Sequence, residues 1–330
     1  MGVLEEVRRA RERTAGRLRR TPLIRSEWLS DRCGHDVHLK LESLQVTNSF
    51  KARGALNAVL ALVERLAPGE APPKVVSASA GNHGRALAWA ASSLDLPVVI
   101  FTPKDAPATK VEAIRRHGAD LRAEADDYEG AESLAKDYAR RTGALYLSPY
   151  SHPDLIAAVG AIGLEILEDL PEAARVVVPV GGGGLIAGIA LAVKAVHPGI
   201  QVVGVEVEAS HPFTASLAAG RIVEVDVGPT LADGLAGNMD PDNIAFPIVR
   251  RLVDRIVLAS EAQLIEALRG LVRHEHLIAE GAGAAGVAAA LAGTLGPVPG
   301  PTAVVVSGSN IDTARLVSVL GSPAMSAGRS

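Results

Sequence analysis

The chain has 330 residues, enough for two domains or for one large α/β domain. Hydrophobic residues make up 48% of the sequence and aromatic residues only 3%, which argues against an aromatic platform for single-stranded nucleic acid. The formal net charge is −4, from 33 basic and 37 acidic residues without a basic stripe, so no nucleic-acid partner is expected.

Short β-branched runs alternate with helical patterns along most of the chain. Strands are predicted at residues 36–42, 74–77, 97–101, 120–122, 145–147, 175–178, 201–206, 255–257 and 302–306. Helical stretches between them include residues 111–117, 131–141, 185–193 and 261–272. This alternation predicts an α/β protein whose parallel sheets are covered by helices on both faces.

Prolines interrupt the pattern near positions 68 and 148. They divide the chain into a predicted small domain, residues 68–147, and a predicted large domain formed by residues 1–67 and 148–330. Residues 321–330 are small and polar, which predicts a disordered tail.

Neither export nor a membrane location is expected. Residues 1–20 alternate charged and apolar side chains at helical spacing, which is not the pattern of a secretory signal. The uncharged stretch 281–311 is cut by three prolines, so it predicts a buried helix and a short strand rather than a membrane span. Cys33 is the single cysteine, which excludes an intramolecular disulfide and makes a cytoplasmic location the default.

A lysine stands at a predicted helix start. Residues 39–55 read LKLESLQVTNSFKARGA, in which a strand and polar turn residues lead into Ser49, Phe50 and Lys51. The positive end of a helix dipole disfavours the ammonium form of a lysine and so favours a nucleophilic amine. A solvated lysine on an amphipathic helix is the alternative explanation.

Two further segments have the composition of anion-binding turns. Residues 77–84 read SASAGNHG, a strand end and tight turn before a helix that begins near His83, which suits a substrate carboxylate. Ordinary turn chemistry explains that pattern equally well. Residues 176–185 read VVVPVGGGGL, where the amides of four glycines can converge on a phosphate. The glycine spacing matches neither G-x-G-x-x-G nor the lysine-containing P-loop, which favours a phosphate without an adenosine.

A serine ends the last predicted strand. Residues 304–312 read VVVSGSNID, which places Ser307 at the carboxyl end of a buried strand, where ligands of open α/β sheets bind. A hydroxyl there can hydrogen-bond to a neutral ring nitrogen, although a serine before a glycine is also common in plain turns.

Together these four segments, in this order, resemble the fold type II family of pyridoxal-phosphate enzymes, in its serine/threonine dehydratase (ammonia-lyase) and serine racemase branch. The resemblance extends over about residues 15–320 and includes Arg20, Thr21, Pro22 and Leu23. It implies a two-domain, tryptophan synthase β-like α/β fold with parallel-rich sheets flanked by helices. It also implies a homodimer or a higher homo-oligomer.

The resemblance implies a role for each motif. Lys51 binds pyridoxal 5'-phosphate covalently and later removes the substrate Cα proton, while Phe50 packs on the cofactor ring. Asn82 hydrogen-bonds the ring hydroxyl, and Ser307 faces the pyridine nitrogen. The residues implied to hold the phosphate are Gly181, Gly182, Gly183, Gly184 and Leu185.

The resemblance also implies residues around the substrate. The turn that binds the substrate carboxylate consists of Ser79, Ala80, Gly81, Asn82 and His83. Asp233, Gly234 and Glu280 resemble family segments that line the site, although a surface turn or a helix cap accounts for them equally well.

The implied reaction eliminates water from a β-hydroxy amino acid such as L-threonine or L-serine, giving a 2-oxo acid and ammonia. Racemases of this branch have a serine directly before the Gly-Asn-His turn, where this sequence has Ala80, so little racemase activity is expected. The alternatives are a dehydratase of another 3-hydroxy amino acid such as 3-hydroxyaspartate, a serine racemase, a β-replacement enzyme, or a non-catalytic cofactor-binding protein.

Three positions depart from the family pattern. Asn48 stands where glycine is common, and residues 158–161 read AVGA where the branch commonly has G-Q-G-T. Glu206 matches a strand-end glutamate that binds a divalent metal in some relatives, but Pro212 stands where a second acid is needed. Glu206 is therefore a candidate metal ligand in a site that we expect to be altered or absent.

Overall fold

The computed structural model describes residues 2–321. The strands are β1 Leu23–Arg25, β2 Val37–Leu41, β3 Val75–Ala78, β4 Val98–Pro103, β5 Asp120–Ala125, β6 Leu145–Tyr146, β7 Arg175–Pro179, β8 Gln201–Val207, β9 Arg255–Ala259 and β10 Thr302–Val306. The helices are α1 Val3–Arg13, α2 Glu27–Cys33, α3 Lys51–Glu64, α4 Asn82–Ser92, α5 Ala108–Arg115, α6 Tyr128–Thr142, α7 Pro153–Asp169, α8 Gly184–Val196, α9 Pro212–Ala219, α10 Ala245–Leu252, α11 Glu261–His274, α12 Gly281–Leu291 and α13 Thr313–Gly321.

The nine predicted strands are all present, with small differences at their ends. The prediction missed β1, because three residues are too few to show an alternating pattern. The tail predicted to be disordered lies outside the described residues except for Gly321, which ends α13.

The strands form two sheets. One has six strands in the order β1-β2-β10-β7-β8-β9, in which only β1 runs antiparallel to its neighbour. The other has four parallel strands in the order β5-β4-β3-β6. All strands of the second sheet lie between residues 75 and 146, which supports the predicted small domain. The division into two domains stays a prediction, since α3 also packs against α4 beside that sheet.

Both faces of the six-stranded sheet are buried. In β7, Val177 packs into a core with the small residues of α12, whereas Val176 and Val178 pack into a second core with α7 and α8. Parallel strands buried on both faces consist of continuous apolar runs, which is why β7 and β10 are so rich in valine. The predicted α/β class with helices on both faces is therefore confirmed. The uncharged stretch around α12 is buried interior, and none of the helices within residues 2–321 is long and apolar enough to span a membrane.

The carboxyl ends of parallel strands lie at one edge of their sheet, and the predicted motifs follow those ends. Residues 42–51 follow β2, residues 180–184 follow β7, and residues 307–312 follow β10. Because β10 lies between β2 and β7 in the sheet, these three segments are neighbours in space.

A buried cluster of four charged side chains ties β2 to α3 and α7. The Glu165 carboxylate accepts from Lys40 Nζ at 2.6 Å and from Arg53 Nη1 at 2.7 Å. Arg53 also pairs with Glu42 at 2.8 Å, and the four side chains are at most 5% exposed. Two cations are thus paired with two carboxylates away from water, and one of the cations, Arg53, lies in the first turn of α3.

Replacing Glu165 by alanine removes a carboxylate shared by two buried cations. We expect the free energy of unfolding to fall by about 3–5 kcal/mol in a urea titration, because Lys40 loses its carboxylate partner and Arg53 keeps only Glu42, which leaves two buried cations with one carboxylate. Glu168→Ala is the matched control, since this neighbour on α7 pairs with the exposed Arg11 and Arg20 and should cost under about 1 kcal/mol. Equal losses in the two variants would contradict the importance of the buried cluster.

Candidate active site

Lys51 is the first residue of α3, with Phe50 as its N-cap. Its Nζ donates to the Pro149 carbonyl at 2.6 Å and lies 5.1 Å from the centroid of the Phe50 ring. Burial lowers the pKa of Lys51 to about 8, although the Glu280 carboxylate opposes this shift. A larger fraction of this amine is therefore neutral near neutral pH than for a solvated lysine, as nucleophilic attack requires.

A backbone junction holds the lysine beside Ser307. The Phe50 amide donates to the Ser307 carbonyl at 3.0 Å, and the Ser309 amide donates to the Asn48 carbonyl at 2.9 Å. Asn48 has a φ of +59°, in the left-handed region that glycine and asparagine adopt most easily. Asparagine can therefore occupy this position, at which the resemblance leads one to expect glycine.

The turn at residues 79–83 follows β3 and begins α4. The Ser79 hydroxyl accepts from the Gly81 amide at 3.2 Å, which tightens the turn. His83 is buried, and its Nε2 lies 3.1 Å from Ser77 Oγ. Because the Ser77 hydroxyl donates to the Leu147 carbonyl, it accepts from His83, which is thus protonated on Nε2. Burial and the charge of Lys51 lower the pKa of His83 to about 3, so the ring is neutral.

The glycine loop admits no side chains at three of its positions. A Cβ on Gly182 would lie 2.2 Å from the Tyr150 ring, and one on Gly183 would lie 2.3 Å from the Phe213 ring. A Cβ on Gly184 would lie 2.5 Å from the Tyr150 carbonyl. Gly184 begins α8, and no side chain within the described part of the chain caps that helix. Its first-turn amides, including that of Leu185, therefore suit an anion.

Glu280 lies at the N-cap of α12 with its carboxylate buried in the site. Its Oε1 accepts from Asn82 Nδ2 at 2.6 Å, and a Cβ on Gly308 would lie 2.4 Å from that same oxygen. Burial, with the negative charge of Asp233, raises the pKa of Glu280 to about 7. The structure thus brings together residues from the turn, from α12 and from the loop after β10.

Asp233 and Gly234 lie on the far side of the glycine loop. The Gly234 carbonyl would be 3.0 Å from a Cβ on Gly181, so Gly234 backs the loop directly. The Asp233 carboxylate accepts from Lys110 Nζ at 2.6 Å and is partly exposed. Asp233 therefore contacts α5 rather than the glycine loop.

Both carboxylate oxygens of the candidate metal ligand Glu206 accept hydrogen bonds from the N-terminus of a helix. Its Oε1 accepts from the Phe213 amide at 2.8 Å, and its Oε2 accepts from the Thr214 amide at 2.8 Å and hydroxyl at 2.6 Å. These bonds cap α9, which begins at Pro212. Within residues 2–321 no three His, Cys, Asp or Glu side chains are grouped to hold a metal ion. The residues around Glu206 therefore do not fit a divalent metal.

Sequence reasoning missed three contributors to the site. Tyr150 lies against the glycine loop and donates its hydroxyl to Asp240 Oδ2 at 2.8 Å. Asn310 donates to Asn82 Oδ1 at 2.6 Å, and the Pro149 carbonyl accepts from Lys51. Tyr150 and Pro149 lie in a loop without periodicity, so the sequence carries no local signal for them. Asn310 lies within the quoted segment after β10, but its contact with the turn depends on tertiary packing.

Comparisons of the sequence and of the structure with known proteins point to one enzyme family. The family model described as pyridoxal-phosphate dependent enzyme matches residues 15–308. The L-threonine ammonia-lyase of Thermotoga maritima is 39% identical over 329 residues, covering 100% of this chain and 80% of the relative. The catabolic L-threonine dehydratase TdcB of Escherichia coli is 38% identical over 320 residues, 96% of each chain. The structure of maize serine racemase aligns with a TM-score of 0.88 and 32% identity, over 96% of this chain and 95% of the other.

Replacing Gly182 by alanine tests the glycine loop. The new Cβ would overlap the Tyr150 ring and push the loop out of shape, so we expect affinity for pyridoxal phosphate to fall at least about tenfold. Titration of the cofactor-free protein, followed by visible absorbance, measures this affinity. Gly199→Ala is the control, because nothing lies within 4 Å of its Cβ. Unchanged affinity in Gly182→Ala would show that the loop does not hold the phosphate.

Proposed function

The chain belongs to the pyridoxal-phosphate dependent enzyme family, and on that premise we propose that it is an ammonia-lyase acting on L-threonine or L-serine. The products are a 2-oxo acid and ammonia. Two relatives, at 38–39% identity over nearly the whole chain, bear the names L-threonine ammonia-lyase and L-threonine dehydratase. The observation that carries the proposal is the position of the half-buried Lys51 amine. The loop that precedes Lys51 is hydrogen-bonded to the segment after β10, and that segment contacts the turn that contains Ala80.

The residues of the site fit pyridoxal phosphate. Residues 181–184 form a cradle in which a Cβ would collide with neighbouring groups, and they lead into the uncapped start of α8, which suits the phosphate. We propose that Leu185 adds its amide there, that Lys51 holds the cofactor covalently and that Phe50 packs on its ring. Ser307 faces the ring nitrogen in this proposal, and one N–H of Asn82 reaches the ring hydroxyl.

When bound, the cofactor withdraws electron density from the attached amino acid and makes its Cα–H bond acidic. Once the substrate amine has displaced Lys51 from the cofactor, the freed Lys51 amine receives the Cα proton in the proposed mechanism, and its lowered pKa favours the unprotonated form, which is able to accept one. The turn at residues 79–83 binds the substrate carboxylate through backbone amides and the start of α4. His83 stays neutral and orients the turn through Ser77.

Residues further from the lysine have supporting roles. We propose that Glu280 lines the site behind Asn82 and that Gly234 supports the glycine loop from its far side, a proposal supported by the contacts of both residues. Asp233 lies at the rim, where it pairs with Lys110.

We also propose that the protein works in the cytoplasm, as a homodimer or a higher homo-oligomer, with a small domain at residues 68–147. The location is supported by the single, partly buried Cys33, which forms no disulfide. The domain division is supported by the separate four-stranded sheet. The oligomer follows from the family resemblance, and light scattering measures it.

A panel of L-threonine, L-serine and 3-hydroxyaspartate tests the proposed reaction. We expect the fastest 2-oxo acid release from threonine or serine, and none from Lys51→Ala, which also loses the visible band of bound cofactor. Lys104→Ala is the matched control, because this lysine is exposed and pairs with Asp126. Release by Lys51→Ala at the wild-type rate would refute the assignment. Cysteine formation from O-acetylserine and sulfide, without 2-oxo acid from the panel, would indicate β-replacement instead.

Ala80 provides a separate test that distinguishes the proposed lyase from a serine racemase. Racemisation needs an acid/base group on the face of the substrate opposite Lys51, and a methyl group cannot supply it. We therefore expect the wild-type protein to release 2-oxo acid from L-serine faster than it interconverts L- and D-serine, and Ala80→Ser to raise the share of racemisation. Chiral chromatography measures both rates. Faster racemisation by the wild-type protein would contradict the lyase proposal.

A further inference from the structure

A continuous chain of side-chain hydrogen bonds runs from α4 to α12 through the site. Arg85 Nη1 donates to Asn310 Oδ1, Asn310 Nδ2 donates to Asn82 Oδ1, and Asn82 Nδ2 donates to Glu280 Oε1, each at 2.6 Å. Asn82 and Arg85 are three residues apart on α4 and so share one face of the helix. Asn310 lies over that face and connects the two side chains.

The chemistry of its two ends fixes the direction of this chain. A guanidinium can only donate, and an ionised carboxylate can only accept. With Arg85 donating, Asn310 must present its oxygen to Arg85 and its nitrogen to Asn82. The Thr47 carbonyl, an obligatory acceptor, takes the second N–H of Asn310 at 2.9 Å and reinforces this orientation. Asn82 must in turn present its oxygen to Asn310 and its nitrogen to Glu280.

Asn82 is thereby left with one N–H for a ligand. If its amide were reversed, its nitrogen would face the Asn310 nitrogen, a repulsive contact, and its oxygen would face Glu280, a contact that is repulsive whenever that carboxyl group is ionised. The orientation of the Asn82 amide thus depends on Arg85 at one end of the chain and is reinforced by the ionised form of Glu280 at the other.

Arg85 has no obvious role in stability. Within residues 2–321 no carboxylate forms an ion pair with it, and its Nε is buried without a hydrogen-bond partner. It lines a cavity of about 190 Å³ together with Gly81, Asn82 and Asn310. A partly buried charge without a counter-ion costs folding free energy. We therefore look for the role of Arg85 in the side chain that it contacts, Asn310.

We propose that Arg85 is a positioning residue that, through Asn310, fixes the Asn82 amide with its remaining N–H toward the ring hydroxyl of the bound cofactor. This inference rests on the proposed function, which gives Asn82 that partner. Arg85 itself touches neither the substrate nor the cofactor in this account.

The test compares Arg85→Met with Arg85→Lys in the cofactor-loaded protein. Methionine removes the charged donor and leaves the Thr47 carbonyl alone to orient Asn310, so a fraction of the Asn310 and Asn82 amides can reverse. We expect a change in the relative heights of the visible absorbance bands, which report the ring hydroxyl proton, and a fall of about tenfold in kcat with a smaller change in KM. Lysine can only donate and should restore the spectrum. Thermal stability of Arg85→Met should equal or exceed that of the wild type.

Arg116→Met is the matched control, because Arg116 is exposed and its charge acts on Arg85 from nearby. This variant removes a neighbouring cation but keeps the hydrogen bond from Arg85 to Asn310, so it should leave the absorbance spectrum unchanged. A wild-type spectrum and cofactor affinity in Arg85→Met would overturn the proposal, as would equal spectral changes in Arg116→Met. The spectrum and the cofactor affinity can be measured even if no β-hydroxy amino acid is turned over. A failure of the proposed function can therefore be told apart from a failure of the proposed role of Arg85.

Discussion

The backbone junction between residues 48–50 and residues 307–309 is the constraint on which the site depends. β2 and β10 are adjacent and parallel, so the segments that leave their carboxyl ends meet, and two backbone hydrogen bonds join them. Because Lys51 follows the first segment directly and Ser307 lies in the second, the register of the sheet sets their separation. The left-handed backbone of Asn48 allows the chain to turn into α3 at this point. The ion pairs of Arg53 with Glu42 and Glu165 then fix the first turn of α3 in place.

Helices α3, α4 and α8 begin at the candidate site, at Lys51, Asn82 and Gly184. The partial positive charge at each N-terminus favours anions and disfavours an ammonium group. One electrostatic arrangement therefore suits the phosphate that we propose at the glycine loop and the carboxylate that we propose at the turn, and it disfavours the charged form of Lys51. The Glu280 carboxylate opposes the lowering of the Lys51 pKa, and burial with the negative charge of Asp233 raises the pKa of Glu280 itself to about 7.

Much of the fold could be predicted from the sequence, because parallel strands buried on both faces leave continuous valine-rich runs between helical patterns. The segments of the site were also visible, because glycines and short polar residues directly after strands mark the carboxyl edge of a sheet. β1 was missed because it is short. Tyr150 and the link from Arg85 to Asn310 were missed because tertiary contacts, not sequence spacing, bring those side chains together. The candidate metal ligand Glu206 could be recognised only as a strand-end acid, whereas its use as the cap of α9 needed the structure.

Chemical trapping determines whether Lys51 is the lysine that holds the cofactor. Sodium borohydride reduction of the cofactor-loaded protein fixes a lysine-bound cofactor permanently, and peptide mass spectrometry then locates the modified residue. We expect one modified peptide, containing Lys51, together with loss of the visible absorbance. Modification of another lysine, such as the buried Lys40 or the rim residue Lys110, or the absence of any modified peptide, would contradict it.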